Sequence, residues 1–367
     1  MPIGDPTADP DPDSGTDGRP GADAEAGAAA AIRTWAWQDF DLDLVDLIPV
    51  DHGADPSTRV WRATSSAGHH YAVKLSTART TTGPRVTRLL AESGVTGVLP
   101  ELRSRRGHPW ADRSGDATPA GRLSVAPWAP GRRALEGGLT RGHWQAYGRL
   151  LAQVHRTGGQ GALPTEDHDH AAAAAQVREL ARRFDRAADS ASDESGSTPT
   201  PDPVGTALAR DWRDASAEIE AVVARADRLG AQLRDRDHAD HTPRVLCHGD
   251  PHLGNVLVDE PDRLWLIDWD DAVLAPPERD LMFVVGGVLA FAPVDAVQSA
   301  WFFEGYGDVV VDPRRLAYYR CARALVDLVD PTLTALTPAS PMAERQQALD
   351  IVRGILSPTG LVTLSLS

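Results

Sequence analysis

Residues 245–282 read VLCHGDPHLGNVLVDEPDRLWLIDWDDAVLAPPERDLM, and the organisation of the whole chain follows from this stretch. An apolar run ends at Cys247, a polar loop carries His248, Asp250, His252 and Asn255, and a second apolar run closes on Asp268-Trp269-Asp270. The alternation predicts strand, loop and returning strand. Gly249, Pro251 and Gly254 deny the loop a helix, so His248 and His252 do not form the helical i, i+4 pair that a zinc site uses. Asp268 and Asp270 point to opposite faces of a strand, which argues against a carboxylate dyad. Asp250 in the loop, Asn255 five residues later, and Asp268 at the end of RLWLID remain. A hairpin brings Asp268 back beside Asn255.

Working outward, the basic residues are lopsided. Of 37 Lys plus Arg, a single one is lysine, Lys74, within the strand-like stretch HHYAVKLSTA. Charge is lopsided too. Residues 1–46 hold eleven acids against two arginines, Arg19 and Arg33, and so carry −9 of the formal −15. That acidity belongs to a solvating tail. No basic stripe with interleaved aromatics is present, so nucleic acid is not an expected partner. No run of 18 apolar residues is present, so a spanning helix is not expected, and the N-terminus lacks the basic-then-apolar order of a secretory signal. Two cysteines, Cys247 and Cys321, imply no disulfide framework, and a cytoplasmic location is expected.

Along the chain, residues 1–32 read as a disordered acidic tail. Residues 33–131 read as a β-rich lobe: a lead-in and strand in WAWQDFDLDLVDLIPVDHG, two strands joined by a Ser-Ser-Ala-Gly turn in RVWRATSSAGHHYAVKLST, a helix in PRVTRLLAESG, and a strand in GRLSVAPWAPGR broken by Pro127 and Pro130. Residues 132–367 read as mainly helical. RGHWQAYGRLLAQVHRTG places Trp144, Tyr147, Leu150, Leu151 and Val154 on one face. A Ser/Pro/acid-rich insertion, about 187–203, reads as mobile.

The chemistry of this set is phosphoryl transfer from ATP. A lysine pairs with the phosphates, oxygen ligands hold Mg2+, and a carboxylate takes the acceptor hydroxyl's proton. The spacing from Asp250 to Asn255 is that of the protein-kinase catalytic loop, and YAVK supplies a strand lysine. HGDPHLGNVL followed by LIDWDDA resembles the aminoglycoside phosphotransferase and choline kinase superfamily. LAPPERDLMF and LAYYRCARALVDL resemble its spectinomycin phosphotransferase-like branch. The resemblance covers roughly residues 40–330. It implies an α+β, protein-kinase-like fold of two lobes, a small β-rich N-lobe for the nucleotide and a larger helical C-lobe.

By that resemblance Asp250 is the catalytic base, Asn255 and Asp268 are the Mg2+ ligands, and Lys74 holds the phosphates. Backbone groups of Ala126 and Trp128 meet adenine, His248 braces the loop, and Asp280 either steadies the loop or caps a helix. The implied reaction is ATP-dependent O-phosphorylation of a small hydroxylated molecule, an aminoglycoside or aminocyclitol in the first instance. Macrolide-, choline- or homoserine-type acceptors, and a catalytically weak nucleotide-binding regulator, are the alternatives. The chain departs from the pattern in three ways. DHGADPSTR replaces a glycine-rich loop, Glu92 is the only acid in PRVTRLLAESG, and Ala322 and Val326 stand where the branch has acids.

Overall fold

A computed structural model describes residues 20–50, 57–78, 80–114, 120–158, 163–191, 202–240, 242–259 and 262–367. Two compact units divide the chain: residues 1–79 with 101–128, and residues 80–100 with 129–367. The first is β-rich and the second mainly helical, as the α+β reading expects.

In the first unit, α1 (Pro20–Phe40) leads into β1 (Leu44–Pro49), β2 (Thr58–Ser65), β3 (His70–Ser76), β4 (Ala111–Arg113) and β5 (Gly121–Pro127). The antiparallel sheet has the order β1-β2-β3-β5-β4. β2 and β3 join through the expected Ser65–Gly68 turn, with Gly68 in the left-handed region. The helix corrects the sequence reading. Residues 20–32, expected as tail, and 33–40, expected as a lead-in, form one helix. Ile32, Trp35, Ala36 and Phe40 recur at helical spacing and are buried with Leu44, Leu47, Trp61, Val73 and Leu123. Each such side chain contributes roughly 1.5–3 kcal/mol on burial, enough to fix the helix. The segment expected in place of a glycine-rich loop falls at 51–56, outside the described residues.

The second unit begins with α2 (Thr82–Glu92), which the sequence reading placed with the β-rich lobe, and ends it at Gly94 with φ +80°. Then come β6 (Arg132–Arg133), α3 (Arg141–Arg156), α4 (Ala171–Ala191), α5 (Pro203–Asp214) and α6 (Ser216–Asp240). The expected insertion overlaps the end of α4, and its residues 192–201 lie outside the described residues. β7 (Val245–Cys247), β8 (Val256–Asp259), β9 (Arg263–Leu266) and β10 (Val273–Ala275) form two small antiparallel pairings, β10-β7 and β6-β8-β9. Helices α7 (Glu278–Leu281), α8 (Ala296–Tyr306), α9 (Pro313–Ala335), α10 (Met342–Leu356) and α11 (Leu361–Leu366) complete the unit.

Two features of this packing position the site. α3 and α8 approach backbone to backbone: a Cβ on Gly148 would lie 2.1 Å from the Phe302 carbonyl oxygen, and one on Gly305 2.0 Å from that of Gln145. Only glycine permits that contact. α9 runs through the middle of the helical core, with Leu325 and Leu328 fully buried. The stretch Met342–Leu366 reaches a mean hydropathy of 1.3 over a membrane-spanning length, but residues 357–360 break it into α10 and α11, both packed on α9.

Candidate active site

The β8–β9 hairpin has the register that the sequence called for. Val256 pairs with Leu266, and the Ile267 N–H donates to the Asn255 carbonyl at 3.0 Å, so Asp268 follows directly on the residue bonded to Asn255. Asp268 is exposed and adopts φ +65°. For a residue with a Cβ the left-handed region costs about 1 kcal/mol, and it ends the strand here.

Around it a closed circuit of hydrogen bonds fixes the loop. The Asn255 side-chain amide donates from Nδ2 to the Asp250 carbonyl at 2.9 Å, which leaves Oδ1 as that side chain's acceptor. The Asp250 N–H donates to His248 Nδ1 at 3.2 Å, so the ring proton lies on Nε2 and goes to the Ile267 carbonyl at 2.9 Å. His248 thereby ties Asp250 to the residue before Asp268, and its ring packs tilted against Trp269 with centroids 4.4 Å apart. Gly249 has φ +87°, and a Cβ there would meet the Asp271 carbonyl oxygen at 2.1 Å.

Beneath the loop lies Asp280, completely buried in α7. It does not cap that helix, whose N-cap is Pro277. Its two oxygens instead accept the N–H groups of His248 (2.7 Å) and Gly249 (2.8 Å). His155, at the end of α3, faces Oδ2 through Nε2 at 3.0 Å, and its Nδ1 faces the Tyr306 hydroxyl at 2.7 Å. Burial alone raises the Asp280 carboxyl; the hydrogen bond from His155, the neighbouring imidazoles and the Gly249 N–H outweigh it and hold the group below the usual range. Tyr147 also donates its buried hydroxyl to the Pro251 carbonyl. His155, Tyr306 and Tyr147 were not singled out in the sequence. The LAQVH spacing gave a helix and not a partner.

Above the loop the Asp250 carboxylate is half-buried and already engaged. Arg323, on α9, donates from Nη1 to Oδ1 at 2.7 Å, and His252 Nε2 lies 3.6 Å from Oδ2. Arg323 is also paired through Nε with Asp327 at 2.6 Å and lies 5.4 Å from the Phe283 ring centre. Burial would lower the Arg323 pKa, but Asp327 and Asp250 reverse that and leave it raised. Burial pushes the Asp327 carboxyl up against the opposing pull of Arg323, and it pushes the His252 imidazole down. The α9 motif that resembles the spectinomycin branch thus delivers a guanidinium to the base from between Ala322 and Val326. Ala322 packs on the core and Val326 is exposed.

In the first unit Lys74 sits at the centre of the sheet, paired with Val60 on β2 and Ser124 on β5. Val73 and Leu75 face the core, so Lys74 shares the opposite sheet face with Ala72, Val60, Ser124 and Ala126. Small side chains flank the lysine on that face. The Trp128 N–H donates to the His70 carbonyl at 3.0 Å. In an antiparallel ladder hydrogen-bonded pairs alternate, so Ala72 and Ala126 form the next such pair and Tyr71 with Pro127 does not. The Trp128 N–H and, by that alternation, the Ala126 backbone groups face β3, and the groups of Val125 and Pro127 face away from it. Leu102 takes the Val125 carbonyl at 2.7 Å. Pro127 fits the alternation because it has no N–H to lose. Glu92, the only acid in PRVTRLLAESG, pairs with Arg88 at 2.7 Å in α2.

One family model and three solved structures bear on this geometry. A family model described as "Phosphotransferase enzyme family" matches residues 46–319. A structure of spectinomycin phosphotransferase with ADP and spectinomycin is 23% identical, over 92% of this chain and 97% of that one, with a TM-score of 0.76. An amicoumacin kinase solved with AMP-PNP and Ca2+ is 16% identical over 92% and 97%, with a TM-score of 0.56. A thermostable aminoglycoside phosphotransferase solved with AMP-PNP and hygromycin B is 14% identical over 88% and 98%, with a TM-score of 0.51. At these identities the structures establish a common fold, the kinase-like one that the sequence motifs implied.

Proposed function

We propose, from the premise that this chain belongs to the phosphotransferase enzyme family, that it transfers the γ-phosphoryl group of ATP to a hydroxyl of a small molecule. One observation carries the reading. The circuit through Asn255, Ile267 and His248 ties Asp250 and Asn255 to the residue immediately before Asp268, which supports a shared role for the three.

The roles follow from the atoms. The acceptor hydroxyl gives its proton to Asp250 through Oδ2, since Oδ1 is held by Arg323. The hydroxyl oxygen forms its bond to the γ-phosphorus as the bond from that phosphorus to the β–γ bridging oxygen breaks and ADP departs. Lys74 neutralises charge on the phosphates, and the small residues Ala72 and Ala126 leave room for a flat base on the same sheet face. The strand end of Ala126, Pro127 and Trp128 is the backbone that would meet adenine, with the Pro127 carbonyl facing away from β3. Asn255 Oδ1 and the Asp268 carboxylate are hard oxygen donors of the kind Mg2+ requires, few enough for the ion to arrive with ATP and keep waters. Held by Asn255 and Asp268, Mg2+ would supply charge neutralisation for the phosphoryl group.

Titrating Mg2+ at fixed ATP in wild type and Asp268→Asn tests the assignment. The variant keeps the shape and loses one charge, so half-maximal turnover moves to at least about tenfold higher Mg2+. Superimposable curves would make Asp268 a structural residue and remove the main support for the reading. The finer expectation of an aminoglycoside or aminocyclitol acceptor draws support from the spectinomycin enzyme's likeness alone. The residues beside Asp250 point elsewhere.

A further inference from the structure

We infer that the acceptor carries a carboxylate, read by Arg320 and Arg323 of α9, and is not a polycationic aminocyclitol. The inference rests on the phosphotransferase reading and narrows its substrate class. Arg320, Arg323 and Asp327 fall three and four residues apart, on one face of α9. That face meets the catalytic loop, because Arg323 reaches the Asp250 carboxylate at 2.7 Å.

The charge on this face is what a cationic acceptor would encounter first. An ammonium delivered with a hydroxyl to Asp250 comes up against the guanidinium already bound there, a like-charge approach in a partly dry site. Asp327 does not serve such an ammonium, since Arg323 takes it up through Nε at 2.6 Å. Ala322 and Val326 on either side of Arg323 offer no acid.

Arg320 supplies the independent observation. Its guanidinium is partly buried, donates from Nη2 to the Val285 carbonyl, and has a buried Nε with no acceptor. No carboxylate pairs with it among the described residues. Burial pulls its pKa down, and only Cys321 opposes that. A half-buried cation with an unspent donor is costly unless an anion meets it. Arg320 lies beside exposed Gly286, and Arg323 lies over Phe283, so the two flank residues 283–286. Arg323 Nη2 has no partner among the described residues, so both arginines retain donors of the forked geometry that suits a carboxylate.

The test uses the full chain with Mg·ATP and measures ADP release with four acceptors: glycerate, homoserine, choline and spectinomycin. Glycerate or homoserine should raise ADP release at least about tenfold over the acceptor-free rate, with choline and spectinomycin near background. Arg320→Gln should then raise KM for the carboxylate acceptor about tenfold or more while kcat moves less than about twofold. A purely structural role would shift the melting temperature and leave that KM alone. Higher kcat/KM for spectinomycin than for either hydroxy acid overturns the inference, and so does an Arg320→Gln KM within twofold of wild type. No stimulation by either hydroxy acid, with Asp250-dependent ADP release intact, overturns the acceptor class and leaves the phosphotransferase reading standing. Absence of both nucleotide binding and ADP release brings down the two together.

Discussion

The two sides of the catalytic loop are built on opposite principles. Its underside is dry and saturated with bonds: Asp280 is fully buried, accepts two backbone N–H groups and an imidazole, and is backed by Tyr306 through His155. Its upper side is polar and only partly enclosed, with Asp268 exposed and Asp250 held by one guanidinium contact. The lower carboxylate spends its capacity on two backbone N–H groups and an imidazole, so the upper ones need spend little on the backbone. Position is fixed from below, and reactivity is left available above.

That division predicts opposite outcomes for two aspartates. Asp250→Ala should lower turnover by roughly 10²–10⁴, the contribution of a positioned general base, with a melting temperature near that of wild type. A turnover loss under about threefold would take the base away from Asp250. Asp280→Asn should cost about 3–5 kcal/mol of stability, because a buried charge is removed from partners arranged for it and the new amide faces backbone donors. Chemical denaturation followed by circular dichroism measures this, and a loss under 1 kcal/mol would mean that the brace is not where the loop's order comes from.

The same carboxyl gives the comparison a pH dependence. Its folded pKa lies below the ordinary value, so its stabilisation is fully present above about pH 4 and is lost as pH falls through the folded value. The stability gap between wild type and Asp280→Asn should therefore shrink as pH drops below about 4. A gap independent of pH down to 2 would contradict the depressed pKa. Gly249→Ala comes next. A Cβ 2.1 Å from a backbone oxygen, at φ +87°, should cost about 2–3 kcal/mol and lower turnover through a displaced loop. Unchanged stability would show that the loop relaxes freely and is not held from below. Tyr306→Phe is the mildest change. Loss of the hydroxyl from His155 Nδ1 should cost about 1 kcal/mol, with KM for ATP unchanged, and a shift in that KM would place His155 closer to the nucleotide than the hydrogen bonds do.

Much of the upper side was legible in the sequence because its parts are near one another in the chain. Asp250, Asn255 and Asp268 lie within one strand-loop-strand unit, and the residue count from Val256 to Leu266 sets the hairpin register. Lys74 stood out because it is the chain's single lysine, on a strand whose alternation is plain. The helix α1 was legible as well, in the spacing of Ile32, Trp35, Ala36 and Phe40, but its alanine-rich start was taken as tail. Pro127 held the parity of β5: with no N–H to give, it had to take the position that does not bond to β3, which turns the Ala126 groups toward β3.

The sequence by itself determined the strands with plain alternation, and that Asp250, Asn255 and Asp268 share one strand-loop-strand unit, because each of these depends on neighbours a few residues away; the short β4, β6 and β10 carry no such pattern. Only the tertiary structure decided what surrounds them. Arg323 reaches Asp250 across 73 residues of chain, Asp280 receives His155 across 125, and His155 receives Tyr306 across 151. Such partners are chosen by helix packing, by glycines such as Gly148 and Gly305 that let α3 and α8 touch, and no periodicity in a single segment records which residue the packing will deliver to the loop.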